Sequence, residues 1–248
     1  AQEALDAAAR ALLAEGREEP RRVPLPASGF AFYLEPLLPA PILFIAGAGH
    51  IGAALCHYAA RAGFDVVVVD DRPSFANRDR LPDAAEVIVA DIVATARDWP
   101  KTPDTYFVLV TRGHRHDAVV LREIIAAPVA YIGMIGSRRK VLTVYDQFLR
   151  EGIATPEQLA RVHAPIGLDL GAKTVDEIAI SIVAELIWTR RKGREDGLRD
   201  RAGSGGVAAD GSAEAVAAVR AALRDRACRP LAATLPDRSA PRRPRPSA

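Results

Sequence analysis

Residues 42–52 read ILFIAGAGHIG, and this short run constrains the fold more than any other part of the chain. Five apolar residues lead without interruption into Gly47, Gly49 and Gly52, spaced G-x-G-x-x-G, and a helical pattern follows at once. A strand that is apolar throughout is one covered on both faces, as in a parallel sheet. The glycines suit a strand-to-helix turn in which Gly47 makes the bend, Gly49 lets an anion approach the backbone, and Gly52 lets helix and strand pack closely. The helix that starts there directs free amides and the positive end of its dipole at the same point.

The alternation continues along the chain. Apolar runs at 42–46, 65–70, 86–90, 105–111 and 129–133, with a short sixth at 162–165, are separated by helical segments at 51–62, 92–97, 116–126, 138–151, 156–160 and 175–191. The spacing predicts an α/β fold, a doubly wound and mostly parallel Rossmann-like sheet in the order 3-2-1-4-5-6. The last helix carries the firmest signal. Thr174 and Glu177 make a capping box, and Val175, Ile178, Ile182, Val183, Leu186 and Ile187 recur at helical spacing, so all six are expected to face the core.

Both flanks differ from this middle. Residues 1–189 hold 19 Lys and Arg against 24 Asp and Glu, whereas residues 190–248 hold 14 against 7, so the overall charge of +2 is a cancellation. The tail is rich in Gly, Pro, Ser and Ala and is expected to be disordered, with at most a short helix over 213–226. It has no aromatic residue on which bases could stack, and no nucleic-acid partner is predicted. At the other end, a helix over 3–14 with an apolar face precedes an extended, proline-punctuated stretch. The chain starts without methionine, and residues 1–39 are expected to be an amino-terminal stub of helix plus Pro-rich linker, whose helix either docks on the main domain or lacks its proper partner, with truncation of a domain left open. The expected division is therefore 1–39, 40–193 and 194–248. No apolar run is long enough to span a bilayer, and Cys56 and Cys228 cannot make a disulfide framework. A reducing, cytoplasmic setting is expected.

Several residues at the expected carboxyl edge of the sheet could carry chemistry. Asp70 ends the second strand of the alternating unit, where an acidic side chain can accept hydrogen bonds from a ribose. Arg72 could instead hold an extra phosphate, or belong to a solvated turn. The segment TRGHRHD places His114, His116 and Asp117 at the same edge, with His114 as a ligand contact, a general acid or base, or part of a helix start. No third and fourth ligand accompany this pair of histidines, and no metal site is predicted. In YIGMIGSRRK, Ser137 is a natural N-cap, yet Arg138, Arg139 and Lys140 fill the first helical turn, where the dipole disfavours cations. An anionic ligand, carboxylates of a partner protein and plain solvation are the alternatives. The loop HAPIGLDLGAKT, with Asp169 and Lys173, could close over a ligand or be an ordinary left-handed connection. Cys56 is expected to be packed rather than reactive. No catalytic residue is assigned.

Five segments in order, AGAGHIG, VVVVDDRPSFAN, TRGHRHD, YIGMIGSRRK and PIGLDLGAKTVDEIAISIVAELI, resemble the carboxy-terminal Rossmann domain of the XdhC/CoxI family, the xanthine dehydrogenase accessory proteins. The resemblance covers about residues 35–192. It implies a chaperone for the molybdenum cofactor, in its molybdopterin or dinucleotide form, rather than an enzyme. It also implies support of sulfuration by a cysteine desulfurase and delivery to a molybdenum hydroxylase of the xanthine dehydrogenase or carbon monoxide dehydrogenase type, with a homo-oligomer left open. Carried over motif by motif, the cofactor-binding candidates are Gly47, Gly49, His50, Gly52, Asp70, His114, Gly136, Ser137 and Arg138. Family members have a separate amino-terminal domain, for which residues 1–39 leave little room. The competing expectation is an NAD(P)-dependent oxidoreductase that uses the glycine loop and Asp70.

Overall fold

The computed structural model describes residues 2–15, 20–24, 30–112 and 114–193. The basic tail, with its expected disorder and short helix, lies outside the described residues. The first elements are α1 (Gln2–Glu15), β1 (Arg21–Pro24) and β2 (Ala31–Leu34). β1 and β2 pair antiparallel, with Arg21 opposite Leu34 and Pro24 opposite Ala31. The stretch expected to be merely extended therefore contains a two-stranded ribbon, made by segments too short for their alternation to stand out.

The remaining elements alternate: β3 (Ile42–Ala46), α2 (His50–Arg61), β4 (Asp65–Asp70), β5 (Glu86–Val89), α3 (Ile92–Asp98), β6 (Thr105–Leu109), α4 (His114–Ile124), β7 (Tyr131–Met134), α5 (Arg138–Arg150), α6 (Pro156–Ala160), β8 (Val162–His163) and α7 (Val175–Trp188). Six strands form one sheet in the order β5-β4-β3-β6-β7-β8, every neighbouring pair parallel. This is the predicted order. Val66–Val69 of β4 and all of β6 are buried, which only a sheet covered on both faces allows.

The two covering layers have separate cores. On one face Phe44, Phe107 and Leu109 meet Val120, Leu121 and Ile124 of α4 and Val141, Val144, Tyr145 and Phe148 of α5. On the other, Leu43, Ile45, Val68 and Tyr106 meet Leu55 and Ala59 of α2 and Ala179, Ile182 and Leu186 of α7. Arg190, in the π-helical turn after α7, donates to the carbonyls of Ala62 and Gly63 and lies 4.8 Å from the Phe64 ring centroid. The end of α7 is thereby fastened to the end of α2.

Several boundaries differ from expectation. The α-helix of α7 stops at Trp188 rather than 191, because the last turn widens to a π-helix. Its capping box is present, with Thr174 Oγ1 accepting from the Glu177 amide. Of the six residues expected in the core, Ile182, Val183 and Leu186 are buried and Ile178 partly so, whereas Val175 and Ile187 are exposed at the two ends of the helix. The sixth strand keeps two residues, since the chain turns away at Ala164. α4 begins two residues early, at His114. Among the described residues, no helix is long and apolar enough to cross a membrane.

Candidate functional site

The strand order reverses between β3 and β6, and ligands of doubly wound folds bind outside the carboxyl ends of the strands at such a point. Four turns leave the sheet there: the glycine loop after β3, the turn after β4, the turn from β6 into α4 and the turn from β7 into α5. Backbone bonds hold them in line. The Gly47 amide donates to the Val69 carbonyl, the Val110 amide to the Ala46 carbonyl, and the Ile135 amide to the Leu109 carbonyl.

The glycine loop is built as its spacing predicts. Gly47 has φ +113° and a Cβ there would lie 2.6 Å from the Val110 carbonyl oxygen, so both conformation and space demand glycine. A Cβ on Gly52 would sit 2.0 Å from the Gly47 carbonyl oxygen, which shows how closely α2 presses on the loop. Gly49 is different: nothing lies within 4 Å of its would-be Cβ. It is the N-cap of α2 without any side-chain cap, and so faces open space with unsatisfied amides, the arrangement that favours an anion. His50 opens α2 and is exposed.

Asp70 is buried, 1% exposed, and points back into the protein. Its Oδ2 accepts from the Ala48 amide at 2.9 Å, and Arg72 forks onto both oxygens, with Nε to Oδ1 and Nη2 to Oδ2 at 2.8 Å each. Burial pushes the Asp70 carboxyl up, but the Arg72 and amide bonds outweigh it and hold it below the ordinary aspartate value. On sequence alone Arg72 stands between a phosphate contact and a solvated turn; the structure makes it the partner of Asp70.

In the third turn, Asp117 is buried and its Oδ1 accepts from the Thr111 amide at 3.0 Å and from the Thr111 hydroxyl at 2.7 Å. This fixes the start of α4, with His114 as its first residue and His116 exposed. The side chain of His114 lies outside the described residues. In the fourth turn, Gly136 leads to Ser137, which takes the N-cap position of α5 with φ −70° and ψ 151° but makes no side-chain capping bond. This corrects the expectation of a capping hydroxyl: position and backbone are right, and the bond is not made. Arg138, Arg139 and Lys140 follow, all exposed, and among the described residues their side chains make no ion pair. β3 and β7 are separated by β6, so the two strands that carry these turns lie about 10 Å apart.

One cluster gave no signal in the sequence. Glu185 of α7 accepts from the Tyr131 hydroxyl at 2.6 Å and the Gly167 amide at 2.8 Å, and lies 2.9 Å from His163 Nδ1. Burial opposes its charge, yet His163, Tyr131 and the amide keep its carboxyl below the usual glutamate value. The cluster ties α7 to β7 and to the loop after β8, where Gly167 and Gly171 adopt left-handed turns. The loop is anchored at Gly167, and Asp169, Leu170 and Gly171 at its tip are exposed. Cys56 is buried, and burial first, then Asp83, pushes its thiol up to about 11, which leaves it unreactive. Among the described residues no three His, Cys, Asp or Glu converge as metal ligands.

Comparison with known proteins gives this edge a lineage. The chain is 30% identical over 160 residues to a probable xanthine dehydrogenase subunit of Bacillus subtilis, covering 64% of this chain and 46% of that protein. It is 35% identical over 151 residues to the uncharacterized protein YqeB of Escherichia coli, covering 60% of this chain and 27% of that one. A crystal structure described as a xanthine dehydrogenase from Bacillus halodurans matches with a TM-score of 0.56 and 30% identity, over 65% of this chain and 45% of that chain. The chain thus spans between about a quarter and about half of the length of these relatives. The XdhC Rossmann domain family matches residues 43–186, more than half of the chain, and it is to this family that the chain belongs.

Proposed function

We propose that this unit holds the phosphate end of the molybdenum cofactor as an accessory protein of a xanthine dehydrogenase-type molybdenum hydroxylase, keeping the cofactor through sulfuration and passing it on. The observation that carries the reading is the pair of helix starts without side-chain caps, α2 at Gly49 and α5 at Ser137, with three exposed cations on the second. The residues present fit a phosphorylated pterin. The space over Gly49 admits a phosphate to the backbone amides, and the exposed Arg138 in the turn after β7 would add positive charge at the same sheet edge. When bound, the cofactor would supply the molybdenum centre used by the client enzyme. The chain's own residues bind and orient: the glycine loop cradles an anion, Asp70 and Arg72 fix the Ala48 amide in that loop, and Arg138, Arg139 and Lys140 attract negative charge. The names of the Bacillus relatives support a link to xanthine dehydrogenase.

An NAD(P)-dependent oxidoreductase is the competing reading of the same loop. Anaerobic purification of the chain from cells that make the cofactor, followed by pterin and molybdenum analysis and by NAD titration, separates the two. Retained pterin is expected. Tight NAD binding with hydride transfer and no retained pterin or molybdenum would sink the accessory reading.

A further inference from the structure

We infer that Arg72 is a specificity-determining residue, closing the adenosine end of the crevice to nucleotides that offer a free ribose diol and leaving a site that grips its ligand by phosphate. The inference rests on the reading that the glycine loop takes a phosphate. In folds with this loop, the carboxylate that ends the second strand of the unit accepts hydrogen bonds from ribose hydroxyls. Asp70 holds that position at the end of β4, but it has no acceptor site left. An ionised carboxylate offers about four lone-pair sites. Oδ1 accepts from the Arg72 amide at 3.0 Å and from Arg72 Nε at 2.8 Å, and Oδ2 from the Ala48 amide at 2.9 Å and Arg72 Nη2 at 2.8 Å.

Arg72 is braced against turning away. Its guanidinium carbon lies 3.6 Å from the Phe75 ring centroid, with Arg80 at 4.6 Å from the same ring. Its carbonyl accepts from the amides of Phe75 and Ala76, and Ala76 is buried. The neighbouring carboxylate, Asp71, is also answered by arginines, with Arg112 Nη2 at 3.4 Å and Arg72 Nε at 3.8 Å. A ribose diol at Asp70 would have to replace two charge-assisted bonds with two neutral donors and leave a buried carboxylate without its counter-charge, which is unfavourable. A phosphate over Gly49 displaces none of these bonds.

The test is calorimetric titration of the full chain with inorganic pyrophosphate, NAD and NADP at one low ionic strength. Wild type is expected to bind pyrophosphate, and to bind NAD and NADP no more tightly. Arg72→Met keeps an unbranched stem over Phe75 but cannot donate to Asp70. It is expected to raise NAD affinity about tenfold, as one charge-assisted hydrogen bond gained would. A thermal melt establishes that the variant is folded; if it is not, the wild-type comparison decides alone. Wild type that prefers NAD to pyrophosphate by about tenfold overturns the inference and leaves the phosphate reading standing. An equal preference for NADP does the same, by making Arg72 a receptor for its extra phosphate. A folded Arg72→Met chain with no gain in NAD affinity also overturns the inference alone, whereas wild type that binds none of the three overturns it together with the phosphate reading.

Discussion

Four helices with described N-caps begin at the carboxyl edge of the sheet, and they divide by position. The outer two follow the edge strands and are finished by their own side chains: Asp91 accepts from the Ala94 amide at α3, and Thr174 from the Glu177 amide at α7. The inner two, α2 and α5, follow β3 and β7 and start at Gly49 and Ser137 with no such bond. All four face the same demand, since the first amides of any helix lack intrahelical partners. The protein meets it at the margins and leaves it open on either side of β6. The inner pair is therefore where an outside acceptor is most needed, and α5 adds three cations that its own dipole disfavours.

The contrast can be attacked at three points. Gly52→Ala should have the largest effect, because the new Cβ would meet the Gly47 carbonyl oxygen at 2.0 Å. A cost of about 3 kcal/mol is expected for such overpacking, lowering the melting temperature by about 10 °C. A tolerant variant would mean that the loop and α2 are not rigidly joined. Next come two matched cap deletions followed by thermal melts. Thr174→Ala should cost about 1 kcal/mol as a true cap, and Ser137→Ala should stay within about 0.5 kcal/mol of wild type. Equal losses would erase the distinction between outer and inner helices. Smallest in stability is the double change Arg138→Ala with Arg139→Ala, which relieves an unfavourable dipole contact of about 0.3 to 1 kcal/mol. Its melting temperature should hold or rise slightly while cofactor retention in the copurification assay falls. A drop of several degrees would make those arginines structural.

The central sheet was legible because its strands are apolar on both faces and its turns carry Gly47, Gly49 and Gly52, whose spacing has one efficient solution. The ribbon of β1 and β2 was not, since four-residue strands among prolines leave too little pattern. At the site, the sequence marked Asp70, Ser137 and Arg138 correctly as edge residues but not what they touch. Asp70 and Arg72 are two apart, and only the backbone turn between them decides whether the guanidinium folds back or reaches out. Ser137 shows the same limit, as the N-cap preference sets its backbone but not its hydroxyl. Glu185, Tyr131 and His163 come together from three elements, with sequence separations of 54 and 22 residues that no local pattern records.

The staple formed by Arg190 has a consequence for how the unit is attached. It fixes the end of α7 beside Ala62 and Gly63, at the amino edge of the sheet, and β3 starts at that edge too, where the Asp65 amide donates to the Pro41 carbonyl. Polypeptide joined on either side of the unit is therefore tethered at its base. The glycine loop and the cationic turn lie at the opposite rim, a full strand length from both points of attachment.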